Sequence, residues 1–141
     1  MAEQVGRMVF DPATAAEVFG GPGRTVQVEV DGRAGSQYVR RGAKIRVNGW
    51  TFSVIWGYGS YSTAARMGWV EGGFDVPIPE CSPDAEIACW KGDGGMINLH
   101  GDTVEGWVAP ASLLAALVAA EADDIDAIRA ALVRTDETGG E

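Results

Sequence analysis

The sequence predicts an α+β domain: a mainly antiparallel β-sheet or small barrel-like body, a short N-terminal helix, and one or two C-terminal helices. Three observations carry that expectation. Asn48-Gly49 stands between two stretches of alternating apolar and polar residues, the pattern of a tight hairpin. Glycine occurs 20 times in 141 residues, enough for many tight turns in a β body. Pro110 to Ala120 is apolar at helical spacing and opens on a proline, which suits the first helical position.

The hairpin is the most tightly specified element. A two-residue type I′ turn needs positive φ at both central residues, which Asn-Gly supplies. The register follows: Val47 faces Trp50, Arg46 faces Thr51, Ile45 faces Phe52 and Lys44 faces Ser53. Side chains alternate along a strand, so Ala43, Ile45, Val47, Trp50, Phe52 and Val54 share a core face. Lys44, Arg46, Thr51 and Ser53 share a wet one. A slip of one residue would invert both faces.

The rest is read in chain order. Residues 1–23 form an N-terminal arm in which Asp11 caps a helix over Pro12 to Phe19, stopped by Gly20-Gly21-Pro22-Gly23, a hinge to the body. Residues 24–108 form the antiparallel body. Its first strand is Thr25 to Val30, and Gln37-Tyr38-Val39 is expected to pair back. Ala85 to Trp90 and Met96 to His100 read as a second hairpin, and Thr103 to Val108 as a last strand. Residues 110–134 are helical, with Leu113, Leu114, Leu117 and Val118 as the apolar stripe. No Gly or Pro divides this segment, so one bent helix and a pair are both open. Positions 114, 118, 121, 125, 128 and 132 step like a coiled-coil seam, interrupted at Glu121, and suggest a homo-oligomer. Residues 135–141 are expected to be disordered.

Composition narrows the function classes. The formal charge is −9, from 20 acidic and 11 basic residues, which argues against binding a nucleic-acid backbone. No apolar run is long enough to span a bilayer and the N-terminus lacks a signal-peptide core, so a soluble cytoplasmic protein is expected. Cys81 and Cys89 match no zinc spacing and read as a loop thiol and a small buried residue. The sole histidine, His100, lies beside Asp102 but lacks a placed nucleophile and an oxyanion hole. Asp93, His100 and Asp102 make at most a weak chelate. No enzyme activity, cofactor or metal is expected.

The segment Gly57-Tyr58-Gly59-Ser60-Tyr61-Ser62 begins like a phosphate-cradling loop. A dinucleotide fingerprint requires a parallel βαβ unit, however, and the strand here belongs to an antiparallel hairpin. It reads better as a ligand platform. Aromatic faces stack on bases, arginine forks hold phosphate, and small hydroxyls and free amides complete the set. The candidate ligand-binding residues are Tyr58, Ser60, Tyr61, Arg66, Arg40, Arg41 and Trp69. Trp56 shares parity with the core face of the hairpin and is assigned to the core. The acidic cluster from Glu121 to Glu141 reads as a solvated helix face, with backbone mimicry as the alternative.

The order WTFSVIWGYGSYS, DAEIACW, DTVEGWVAPASLLAAL resembles a group of small bacteriophage accessory proteins of uncharacterised function. The resemblance covers Trp50 to Val118, roughly half the chain, and leaves out Met1 to Gly42. It implies an accessory protein in the host cytoplasm that acts on host machinery or defence, and it transfers no site residue. Joined to the central loop, it gives the functional expectation: non-enzymatic sequestration of a small nucleotide-like host signal. The alternatives are an inhibitor that blocks a host protein through the aromatic loop or acidic helix, and a small hydrolase using His100.

Overall fold

The computed structural model describes residues 8–31, 40–56, 60–63 and 81–134. A five-stranded antiparallel sheet carries every other element, its strands side by side in sequence order. These are β1 (Arg24–Asp31), β2 (Arg40–Val47), β3 (Trp50–Ile55), β4 (Ala85–Lys91) and β5 (Glu105–Val108). Helix α1 (Ala15–Phe19) precedes the sheet, and α2 (Pro110–Glu121) and α3 (Ile125–Ala131) follow it. Among the described residues β1 and β5 are the outer strands of this sheet.

The central hairpin has the register read from the sequence, Val47 to Trp50 through Lys44 to Ser53. Asn48 and Gly49 sit at φ 51° and 82°, the mirror-image turn that Asn-Gly favours. Ala43, Ile45, Val47, Trp50, Phe52 and Val54 are all buried. On the other face Thr51 is only 9% exposed, so that face is not uniformly wet. Trp90 on β4 lies directly opposite Thr51.

The described part of the N-terminal arm, residues 8–23, packs against the body. Phe10 exchanges two backbone hydrogen bonds with Ser82, at 2.7 and 2.9 Å. Its ring stacks between those of Phe19 and Trp56, each 5.5 Å away, and all three residues are buried. Each buried phenyl ring contributes on the order of 2–3 kcal/mol, which fixes the segment to the body. The helix starts at Ala15, three residues later than the caps suggest. Asp11 still accepts from the Ala13 amide at 3.0 Å, but it closes a turn over residues 12–14.

The second hairpin is a correction. Besides β3, the antiparallel partner of β4 is β5, not Met96 to His100. Glycines 92, 94 and 95 turn the chain out of the sheet, and only Ile97 returns one amide to Cys89, at 3.0 Å. Leu99 then drops into the core and a turn closes by a Leu99–Asp102 bridge.

The C-terminal segment is two helices, divided without Gly or Pro. Asp123 adopts φ 56°, and the amides of Asp123 and Asp124 return to Ala120 and Ala119 at 3.0 Å each. This is a Schellman-type stop with aspartate at the left-handed position. Tertiary bonds hold it there: Asp123 Oδ1 accepts from Trp50 Nε1 at 3.0 Å and pairs with Lys91 Nζ at 2.6 Å. Asp124 then caps α3 by accepting from the Ala127 amide at 3.1 Å.

The break divides the expected seam. Ile128 and Leu132 are buried, whereas Val118, Glu121 and Ile125 are exposed, so these positions do not form one stripe. The buried side of α2 is Leu113, Ala116, Leu117 and Ala120. Val118, assigned to the stripe, points outward at 56% exposure.

Candidate functional site

Residues 60–63 follow the core strand β3 and are pinned by a dense set of hydrogen bonds. Ser62 Oγ donates to the Trp56 carbonyl at 3.0 Å and lies 2.9 Å from Ser60 Oγ. The carboxylate of Asp84, which is buried, accepts from both the amide and the hydroxyl of Thr63, at 2.5 Å each. Glu86 Oε1 accepts from the Tyr61 amide at 2.9 Å, and the Trp107 amide donates to the Tyr61 carbonyl at 3.0 Å. The backbone is thereby held against β4 and β5.

This docking requires Gly106. A Cβ there would lie 2.5 Å from Tyr61 Cβ, far inside van der Waals contact. The close approach brings the Tyr61 ring to Trp107, with centroids 5.6 Å apart and planes inclined at 23°. Tyr61 nevertheless keeps 55% of its surface exposed. The guanidinium of Arg134 lies 4.7 Å from the centroid of the Trp107 ring. The result is a surface ledge: an exposed phenol, an indole against it, and a cation against the indole.

The ledge is fixed from below. Val108 and Arg134 form an isolated backbone bridge, which ties the end of α3 to β5. The Glu105 carboxylate accepts the Arg134 amide, and burial pushes its carboxyl above the ordinary range, with His100 and Arg134 pulling it back. Trp107 itself sits at φ 54°, a conformation an indole-bearing residue rarely adopts. Such left-handed positions persist only where the surroundings over-determine them.

Of the residues singled out from the sequence, Ser60 and Tyr61 stand at this ledge. Tyr58, Arg66 and Trp69 lie outside the described residues, as do the expected Gln37 to Val39 strand and the 135–141 tail. Arg40 and Arg41 lie within β2, in register with Asp31 and Val30. That strand is flanked by β1 and β3. Trp107 and Arg134 were not anticipated. Arg134 is 73 residues beyond Tyr61 and carries no local signature.

His100 has a structural position. Its Nε2–H donates to the Arg129 and Leu132 carbonyls, at 2.7 and 3.1 Å, at the C-terminal end of α3. Cys89 is buried with its thiol pushed up to about 12 by burial, and Cys81 is exposed. Among the described residues no group of three metal-ligating side chains gathers. Among them too, no helix is long and apolar enough to cross a membrane.

No known family, curated relative or solved structure matches this chain.

Proposed function

We propose that the protein is a non-enzymatic binder of a small nucleotide-like ligand, with the Tyr61–Trp107–Arg134 ledge as its recognition surface. The observation that carries this reading is the exposed Tyr61 ring, held by backbone hydrogen bonds and backed by an indole. A rigid exposed ring offers a stacking face at little entropic cost, worth about 1–3 kcal/mol per base. Arg134 adds positive charge beside the ring system, suited to an anionic substituent. The likeness to bacteriophage accessory proteins supports a role in sequestering a host signal by mass action.

The test is native mass spectrometry of the protein purified from its host, followed by thermal unfolding with added mononucleotides. Binding to the folded state raises the melting temperature by linkage. A retained or added nucleotide that stabilises wild type but not Tyr61→Ala supports the reading. No shift with any nucleotide argues against it.

A second reading, blockade of a host protein, is favoured by the helical surface. Helix α2 has no charged residue before Glu121 and leaves Val118 exposed, with Ile125 of α3 nearby in sequence. The acidic cluster is the weaker docking element, because Glu121, Asp123 and Asp126 already pair with Arg24, Lys91 and Arg129. Pull-down of a host protein, lost on Val118→Glu, distinguishes this alternative. The same helical surface is where the proposed homo-oligomer would form.

A further inference from the structure

We infer a second binding site, for a phosphate-type oxyanion, on the Lys44–Arg46 face of the sheet at the Asn48–Gly49 end. Three residues carry it: Thr25, Arg46 and Thr51. They are direct cross-strand partners, Thr25 to Arg46 between β1 and β2 and Arg46 to Thr51 between β2 and β3. Side chains at paired positions stand on the same face about 4.5–5.5 Å apart. The fold therefore sets one guanidinium between two hydroxyls, and all three line an open groove of about 250 Å³. That is below the roughly 300–1,000 Å³ of sites for drug-sized molecules, and it suits a compact anionic group.

The charge pattern around the groove singles out Arg46. Arg24 pairs with Glu121, Lys44 with Glu29, Lys91 with Asp123 and Arg129 with Asp126. Arg46 forms no ion pair among the described residues, and its one polar contact is a 3.5 Å approach to Gln27 Oε1. In a chain with a formal charge of −9 carboxylates are plentiful, yet none of the described ones is placed on this guanidinium. The acids closest to the hairpin turn, Glu121 and Asp123, are already engaged by Arg24, Lys91 and Trp50.

The hydroxyls point the same way. Neither Thr25 nor Thr51 has a side-chain hydrogen bond within the described protein, and among the described residues no buried side-chain nitrogen or oxygen is left unsatisfied. Thr51 is 9% exposed as a residue, and its unpartnered hydroxyl is not among the fully buried polar atoms, so it stays open to the groove. Two hydroxyl donors beside a planar five-donor fork match the oxygens of a phosphate monoester. The site stands on its own geometry and does not depend on the Tyr61 ledge.

The experiment is a titration of the full chain with inorganic phosphate at about 0.15 M salt, followed by amide and arginine Nε–H NMR shifts. Saturable shifts are expected at Thr25, Arg46 and Thr51, in roughly the millimolar range for an isolated anion. Acetate reports whether any carboxylate suffices, and ribose 5-phosphate whether a sugar phosphate binds more tightly. Arg46→Gln is expected to weaken phosphate binding at least about tenfold. Arg46→Lys should recover part of that loss, and Thr51→Val should weaken binding about threefold. Lys44→Gln, one row away, and Tyr61→Ala should leave it unchanged. Each variant is first checked for an unaltered amide spectrum. Shifts that never saturate, or equal losses for Lys44→Gln and Arg46→Gln, would overturn the site.

Discussion

The indole Nε1–H of Trp50 donates to Asp123 Oδ1 at 3.0 Å, and this bond joins the β2–β3 turn to the stop between the last two helices. Lys91 completes the junction from β4, and Asn48 Nδ2 donates to the Ala120 and Glu121 carbonyls at 3.2 and 3.1 Å. The hairpin turn thus supplies the cap that the helix end lacks in its own sequence. Asp123→Ala should destabilise the fold more than Asp123→Gly or Asp123→Asn. Glycine relieves the left-handed backbone, and asparagine keeps an acceptor for Trp50. Denaturant midpoints at fixed slope rank the three variants.

The same contact sets an acid limb. Hydrogen bonds from Lys91 and Trp50 hold the Asp123 carboxyl below its ordinary 3.8. A depressed folded-state value contributes stability that is complete above the unfolded value and disappears as pH falls through the folded one. The stability gap between wild type and Asp123→Asn should therefore be full above about pH 4–5 and close below that. A gap that persists at the acid end would show that it arises from something other than the ionised carboxylate.

Glu105 behaves in the opposite sense. Burial raises its carboxyl above 4.5, so the charged form is disfavoured by the fold. Stability linked to this group is present below the unfolded value and is lost as pH rises through the folded one. Glu105→Gln keeps a carbonyl for the Arg134 amide without the charge. It should gain on wild type between pH 4 and pH 7, read from melting temperatures at both.

Gly106 tests the seating of the ledge. Gly106→Ala forces a methyl group against Tyr61, which must shift or lift away. Overpacking of this kind costs about 1–3 kcal/mol. The expected result is a lower denaturant midpoint together with loss of ring-current shifts between Tyr61 and Trp107.

The two thiols offer a simple check on packing. Cys81 is exposed and Cys89 is buried with a thiol near 12, so a thiol reagent should titrate one group in the native protein. Denaturation should release the second. Two fast thiols in the native state would mean that the β3–β4 core is open.

Much of this fold is written locally. Asn48-Gly49 fixes the turn, the turn fixes the register, and alternation assigns the apolar core residues of β2 and β3 but misses the buried Thr51. Cys89 and Trp56 are likewise assigned correctly from pattern alone. What is missing depends on tertiary contact. The stop at Asp123 has no Gly or Pro because Trp50 and Lys91, distant in sequence, hold the left-handed backbone in place. The second partner of β4 is not legible locally, because Met96 to His100 is apolar enough for a strand, yet its glycine-rich lead-in carries it off the sheet. Tyr61 and Ser60 are legible in the sequence as members of the loop that leaves β3. Trp107 and Arg134 are not legible beside it, because a stack across β5 to the end of α3 leaves no periodicity to read.

The ledge is tested most directly by calorimetric titration of mononucleotides into wild type, Tyr61→Phe and Tyr61→Ala, each with its fold verified. Wild type and Tyr61→Phe should bind alike, and Tyr61→Ala should bind about 5–150-fold more weakly, the loss of one stacking contact. Equal binding by Tyr61→Ala, or no binding by wild type, would contradict the assignment of this surface.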